Sequence, residues 1–195
     1  MNPLHTTRRL VLLASVASVA ALAQDDTVDD VDDDTPQPSG PLVDLVRTST
    51  ESYQEVQNAI DAGYEAGPCV SSPLAGAMGI HYVNLSLIGD GTLDPANPEA
   101  LIYEPQPDGS LQLLGAEYIT LAEFWPDPER PVLAGHLPNY VGEPNRYGLP
   151  AFFQIHVWAW RANPIGTFAD FNPEVSCEAQ PLEDAPPPAE ASAAP

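Results

Sequence analysis

The fold is decided by residues 100–120, whose sequence is ALIYEPQPDGSLQLLGAEYIT. Two runs rich in leucine, isoleucine and tyrosine flank Asp108-Gly109, a residue pair preferred in the two-residue turn between antiparallel strands. The stretch therefore predicts a hairpin in which Glu104 faces Leu113 and Ala100 faces Glu117. Alternation along the strands then places Glu104 and Glu117 on one face of the hairpin, among apolar neighbours.

Further strands are predicted on both sides of this hairpin. Segments 80–88 and 151–161 are rich in β-branched and aromatic residues, and clusters of Gly, Pro, Asn and Asp separate the segments. Before them, Thr48 and Glu51 form a capping box, and apolar residues follow at helical spacing from Tyr53 to Tyr64. The expected fold class is α+β, with one N-terminal amphipathic helix packed on a mainly antiparallel sheet or half-open barrel.

The N-terminus has the three parts of a secretory signal peptide over residues 1–23. Arg8 and Arg9 are followed by an apolar run of residues 10–22 and by the small-x-small pattern Ala21-Leu22-Ala23. The run is too short for a permanent membrane span, which needs about 20 apolar residues. The arginine pair fits a Sec signal and a twin-arginine signal alike. The protein is thus predicted to be secreted or extracytoplasmic.

Composition predicts one folded domain between two tails. Residues 24–41 are acidic and proline-rich, and residues 180–195 are rich in proline and alanine. Neither segment has the apolar periodicity of a packed structure, so both are predicted to be disordered. Residues 42–179 are left as a single folded domain, long enough for one core.

The charge of the chain is strongly negative. Its 28 acidic residues outnumber six arginines, there is no lysine, and the net charge is −22. Nucleic acids and anionic lipids bind clustered cations, so this balance argues against either partner. It is compatible with a metal cation or a small ligand.

The two cysteines, Cys69 and Cys177, stand near the two ends of the predicted domain. In an oxidising compartment an isolated pair predicts a disulfide. A catalytic or metal-bound thiol is the alternative, but neither cysteine has a histidine nearby in sequence.

Two histidines and two glutamates on predicted strands have apolar neighbours. They are His81, Glu104, Glu117 and His156. Imidazole and carboxylate ligands suit zinc, manganese or iron, so these residues form a candidate site for one divalent metal. The alternative is structural: each histidine is a core residue bonded to a carbonyl, and each glutamate pairs with Arg161 or a tyrosine hydroxyl.

A second hypothesis gives the protein a binding role without chemistry. Tyr82, Phe152, Trp158 and Trp160 can form an apolar or sugar-stacking pocket in a ligand-binding or envelope-associated module. No Gly-x-Ser-x-Gly elbow, phosphate loop, His-x-x-x-His or Cys-x-x-Cys motif is present, so no reaction is predicted. His136 lies in a predicted loop and is a weaker candidate for the site.

Five ordered segments carry a resemblance to a known family. They are MGIHYVN (78–84), PEALIYEP (98–105), GAEY (115–118), HVWAW (156–160) and NPIGTFADFNPEVSC (163–177). The chain resembles, over about residues 50–177, a family of uncharacterised exported bacterial proteins. This resemblance implies a single exported domain and adds no activity or site residue.

Overall fold

The computed structural model describes residues 37–180, which form one six-stranded antiparallel sheet curled into a half-barrel. The strands are β1 (Glu65–Ser72), β2 (Gly76–Val83), β3 (Ala100–Pro105), β4 (Leu111–Leu121), β5 (Asn139–Val141) and β6 (Phe152–Val157). Their order across the sheet is β1-β2-β3-β4-β6-β5. The α+β class with an antiparallel sheet is therefore confirmed. The predicted signal peptide and most of both predicted tails lie outside the described residues.

The β3–β4 turn differs from the predicted two-residue turn. The Gly109 amide donates to the Gln106 carbonyl, and the Gln106 amide donates to the Ser110 carbonyl, both at 2.9 Å. Gly109 has a φ of 86°, the left-handed conformation that glycine adopts without strain. The loop therefore has three residues, a type I turn followed by a glycine bulge, and the tip of the hairpin slips by one residue.

A second irregularity in the hairpin cancels the first. Near the tip Glu104 pairs with Gln112, so the predicted pairing with Leu113 is wrong. A bulge follows in the ladder, and beyond it Ala100 pairs with Glu117 as predicted. The register is thus correct in the part of the hairpin that carries Glu117.

The described residues contain three short helices: two precede β1 in place of the single predicted helix, and the third follows β2 within segment 80–88, where a strand is predicted. They are α1 (Pro41–Thr50), α2 (Val56–Asp61) and α3 (Leu85–Ile88), with a 3-10 turn at Glu51–Gln54. The predicted start at Thr48 is wrong, because Thr48 lies inside α1 and its hydroxyl donates to the Asp44 carbonyl. Pro41 is the first residue of the helix, where its fixed φ is favourable. The extended backbone at Glu55 then separates the 3-10 turn from α2.

Helix α1 covers one face of the sheet. Its buried apolar side chains are those of Leu42, Val43 and Val46, and they pack against Tyr118 and Val157 from the central strands. Burying a side chain of this size contributes about 1.5–3 kcal/mol, so this seam fixes the helix on the sheet.

The segment after β6 covers the opposite face. The backbone of Gly115 in β4 lies so close to the Val157 carbonyl that a Cβ at position 115 would clash with it. Trp158, the residue after β6, is buried with Ile102 and Leu114. The predicted disulfide is confirmed: Cys177 is bonded to Cys69 in β1.

Within residues 37–180 there is no helix with the length and apolarity that crossing a bilayer requires.

Candidate metal centre

Three strands place His81, Glu117 and His156 on one face of the sheet. In the register, His81 of β2 pairs with Ile102 of β3, Ala100 of β3 pairs with Glu117 of β4, and Glu117 pairs with His156 of β6. Side chains of paired residues lie on the same side of a sheet. The small side chain of Ala100 leaves room between the strand that carries His81 and the one that carries Glu117.

The three side chains meet at their polar ends. The Nε2 atoms of His81 and His156 are 3.3 Å apart. The same Nε2 of His81 is 3.3 Å from Oε2 of Glu117. Each residue offers one ligand atom such that all three atoms lie within 4.8 Å of one another.

These separations fit one bound ion. Two ligands that each lie about 2.0–2.2 Å from a tetrahedral zinc ion are about 3.3–3.6 Å apart. Both 3.3 Å separations at His81 are in or at the edge of that range. The chemistry of the donors agrees, because two imidazoles and one carboxylate are a common set for zinc and iron.

The site is closed on one side and open on the other. The side chains of His156 and Glu117 are 1% and 7% exposed, whereas His81 is 13% exposed. Within the described residues, Nδ1 of His156 is buried without a hydrogen-bond partner. Two carboxylate oxygens lie near this nitrogen, Oδ1 of Asp170 at 3.4 Å and Oε1 of Glu117 at 3.8 Å.

A second carboxylate stands behind His156. Oδ1 of Asp170 is 3.4 Å from Nδ1 of His156 and accepts a hydrogen bond of 3.2 Å from Nε2 of Gln154. Metal-binding histidines usually direct their second ring nitrogen at such a carboxylate, which fixes the orientation of the ring. With Nε2 facing His81 and Nδ1 facing Asp170, the ring of His156 has this orientation.

The packing of Trp158 brings Asp170 to this position. The Trp158 indole donates to the Ala169 carbonyl at 2.6 Å, and the Trp158 amide donates to the Thr167 carbonyl at 3.0 Å. The irregular segment 167–170 is thereby held against the end of β6, next to His156.

Burial and neighbouring charge oppose each other in setting the pKa of His156 and act together on the pKa of His81. Burial lowers the pKa of His156, but the negative charges of Glu117 and Asp170 outweigh it, so its pKa is raised above the ordinary value. Burial and the neighbouring charge of His156 lower the pKa of His81 to about 3. Neutral imidazole is the form that binds metal, so His81 is available as a ligand down to low pH.

Burial also affects Glu117. It raises the pKa of this carboxyl, with a smaller contribution from the charge of Asp170, while His156 opposes the shift. A buried carboxylate next to imidazoles is stabilised by a cation, which supplies the missing positive charge.

The site opens into a cleft of about 580 Å³. His81 and Glu117 lie in its wall, and Arg146 and Tyr147 line it from the loop between β5 and β6. Its remaining walls are mostly apolar and include Met78, Val83, Ile119, Leu149 and Phe152. A second cavity of similar volume lies beside the β3–β4 turn, but no charged side chain lines it.

Glu104, the fourth predicted ligand, lies outside the group. Its Oε1 accepts a hydrogen bond of 2.9 Å from the Ser176 amide. Along β3 it is four residues from Ala100, the partner of Glu117, and a strand rises about 3.3 Å per residue. Glu104 is therefore about 13 Å along the strand from the row that carries Glu117.

The four predicted pocket aromatics do not share one pocket. Tyr82 packs on Tyr103 at 5.0 Å on the face opposite His81. Trp158 is fully buried, and the Trp160 indole donates to the Thr50 hydroxyl at 2.9 Å. Phe152 alone of the four lines the cleft beside the histidines. His136 lies apart from this group, with its ring 4.2 Å from that of Phe168.

Asp170 and Arg146 belong to the site but carry no signal in the sequence. Both lie in irregular segments, where neither alternation nor helical spacing places a side chain. Comparisons of the chain with protein-family models, with curated proteins and with solved structures found no match. The resemblance to a family of exported bacterial proteins therefore stays a prediction.

Proposed function

We propose that the protein binds one divalent transition metal through His81, Glu117 and His156. The observation that carries the proposal is the position of Nε2 of His81, which lies 3.3 Å both from Nε2 of His156 and from Oε2 of Glu117. Such separations match the edges of a tetrahedral zinc site. The carboxylate of Asp170, 3.4 Å from Nδ1 of His156, gives further support, because it lies where a metal-binding histidine directs its second ring nitrogen.

Zinc is the ion that these ligands favour first. Manganese prefers oxygen-rich sites, and iron of the two-histidine, one-carboxylate type is octahedral, with ligands nearer 3.0 Å apart. Three protein ligands leave one position of a tetrahedral ion free. That position faces the cleft, because His81 is the most exposed of the three ligands.

The experiment that tests the proposal is a zinc titration of metal-free protein by isothermal calorimetry, with elemental analysis of the loaded protein. We expect about one zinc per chain. His156→Ala and Glu117→Gln should weaken binding by at least about tenfold each, because each removes one ligand.

The chain offers a matched control for each variant. His136→Ala removes a histidine outside the site, and Glu104→Gln removes a glutamate outside the site. Both controls should bind zinc as the unaltered protein does. Zinc binding that is unchanged by His156→Ala and Glu117→Gln in folded protein would contradict the proposal.

We also propose that the protein works outside the cytoplasm. The basis is the signal-peptide pattern of residues 1–23, and the bond between Cys69 and Cys177 is compatible with it, since disulfides persist in oxidising compartments. Sequencing of the N-terminus after export should begin at Gln24. An N-terminus at Met1 would overturn this proposal.

A further inference from the structure

We propose that the cleft beside the metal centre binds a small carboxylate with an apolar body, held between the free metal position and the guanidinium of Arg146. This inference rests on the proposed function, because the metal supplies one of the two contacts. The two contacts lie in the wall of one cavity, where His81, Glu117 and Arg146 all line the same space.

Arg146 differs from the other arginines that the structure describes. The side chain of Arg47 donates to the carbonyls of Ala159 and Pro38, Arg130 donates to a carbonyl and so does Arg161. Across residues 37–180, no carboxylate or carbonyl accepts a hydrogen bond from Arg146. Its guanidinium instead lies over the rings of Tyr147 and Phe171, 5.7 and 5.8 Å from their centres.

Stacking on aromatic rings leaves the hydrogen-bond donors of a guanidinium free. The N–H groups of a guanidinium that lies over aromatic rings can still bind a carboxylate with two parallel hydrogen bonds. The rings also restrict the side chain, which lowers the entropic cost of binding. Arg146 therefore has free hydrogen-bond donors with which to bind an anion.

The charge of the site also favours an anion. A divalent ion balances the negative charges of Glu117 and Asp170, and Arg146 then adds one positive charge in the wall of the cleft. The chain as a whole has a net charge of −22. The loaded cleft is then a positive region on a negative protein, and it attracts small anions while the remaining surface repels them.

The walls of the cleft select the rest of the ligand. Val83, Ile119 and Phe152 line the same cleft as His81, Glu117 and Arg146. Such walls bind an apolar group and offer few partners to a hydroxylated one. A volume of about 580 Å³ is in the range of small-molecule sites. These features favour an aryl or alkyl monocarboxylate over inorganic phosphate.

Benzoate, benzamide and inorganic phosphate are suitable probes for the cobalt-loaded protein. Cobalt(II) reports its own coordination through visible absorption, so a probe that binds the metal changes the spectrum. Benzoate should change it and benzamide, which has the same ring without the charge, should not. Phosphate should bind more weakly than benzoate. Cobalt binding without a response to benzoate, or a stronger response to phosphate, would overturn the inference.

Variants of Arg146 test the second contact. Arg146→Gln should weaken benzoate binding about tenfold or more, as expected for a lost charge-assisted pair, and should not weaken cobalt binding, because Arg146 is not a ligand of the metal. The benzoate affinity of Arg146→Lys should lie between those of the unaltered protein and Arg146→Gln, because lysine keeps the positive charge but cannot make two parallel hydrogen bonds to a carboxylate. Arg161→Gln removes the same charge outside the cleft and should bind benzoate normally. Equal benzoate affinity in Arg146→Gln and Arg161→Gln would overturn the inference, whereas failure to bind cobalt would instead contradict the proposed function.

Discussion

The Nε2 atoms of His81 and His156 lie 3.3 Å apart, although β3 and β4 separate the strands that carry them. Neighbouring strands are about 4.8 Å apart, so in a flat sheet these two backbones would be about 14 Å from each other. The curl of the half-barrel turns the two side chains toward one point above Glu117. The candidate metal centre is thus a product of the shape of the sheet.

This dependence on shape predicts a strong effect at Gly115. An alanine Cβ there would collide with the Val157 carbonyl, so β4 and β6 would have to move apart on either side of Glu117 and His156. Gly115→Ala should lower the free energy of unfolding by about 1–3 kcal/mol and weaken zinc binding. Urea unfolding and zinc titration measure the two effects.

Gly89→Ala is the matched control for this substitution. Gly89 has a φ of −84°, and an added Cβ would meet the Leu85 carbonyl oxygen at an ordinary 3.6 Å. This variant should unfold and bind zinc nearly as the unaltered protein does. Equal stability of the two variants would show that the approach of Val157 to Gly115 is not what shapes the site.

The carboxylate of Asp170 should set the pH at which the metal is lost. Burial lowers the pKa of His156, but Glu117 and Asp170 raise it by more, and a proton on His156 excludes the metal. Zinc affinity should therefore fall as the pH drops through the raised pKa of His156. Asp170→Asn removes one of the two raising charges, so the fall should move to lower pH.

Calorimetric titration at a series of pH values measures this shift. Asp127→Asn is the control, since Asp127 lies in a loop where it accepts a hydrogen bond from the Glu129 amide. Its pH profile should match that of the unaltered protein. A profile of Asp170→Asn that moves to higher pH, or does not move, would contradict the assigned position of Asp170 behind His156.

The buried Glu99 should make the fold less stable as the pH rises. Glu99 is 1% exposed and accepts a hydrogen bond of 3.0 Å from the Ile119 amide. Burial raises its pKa from 4.5 to about 8. Between these two pH values the folded protein keeps the proton that the unfolded chain has lost, so stability falls by about 1.4 kcal/mol per pH unit.

Glu99→Gln should remove this part of the pH dependence, because glutamine is neutral in both states and can still accept the bond from Ile119. Urea unfolding of both proteins between pH 4.5 and 8 gives the comparison. If the free energy of unfolding changes with pH in the same way for both proteins, Glu99 is ionised in the folded state.

The disulfide should contribute strongly to stability. Cys69 and Cys177 are 108 residues apart, and closing a loop of that length restricts the unfolded chain by about 4–5 kcal/mol in the chain-entropy model. The double variant Cys69→Ser, Cys177→Ser should unfold at lower urea concentration by a corresponding amount. Thiol titration of denatured, unreduced protein should find no free thiol, and two thiols per chain would contradict the pairing.

Alternation along strands was sufficient to predict most of the candidate site. His81, Glu117 and His156 lie in regular strands, where the period of two fixes the face of each side chain. Residues on the same face of a sheet are not necessarily close together. Glu104 is an example, because it lies four residues along β3 from Ala100, the residue that pairs with Glu117. Position along a strand matters as much as face.

The remaining features depend on contacts that have no local pattern. Asp170 reaches His156 because Trp158 binds segment 167–170, and Arg146 reaches the cleft from a loop. The predicted position of the N-terminal helix is wrong for a related reason. Leu42, Val43 and Val46 form its buried seam, whereas the helical spacing downstream of Tyr53 is interrupted by the extended backbone at Glu55.

The most direct test of the metal centre is a crystal structure of the zinc-loaded protein with an anomalous difference map at the zinc edge. We predict one peak within about 2.0–2.2 Å of Nε2 of His81, Nε2 of His156 and one carboxylate oxygen of Glu117. The fourth position should face the cleft that Arg146 lines. An empty space between the two histidines in crystals that hold zinc elsewhere, with the two Nε2 atoms still 3.3 Å apart, would contradict the account.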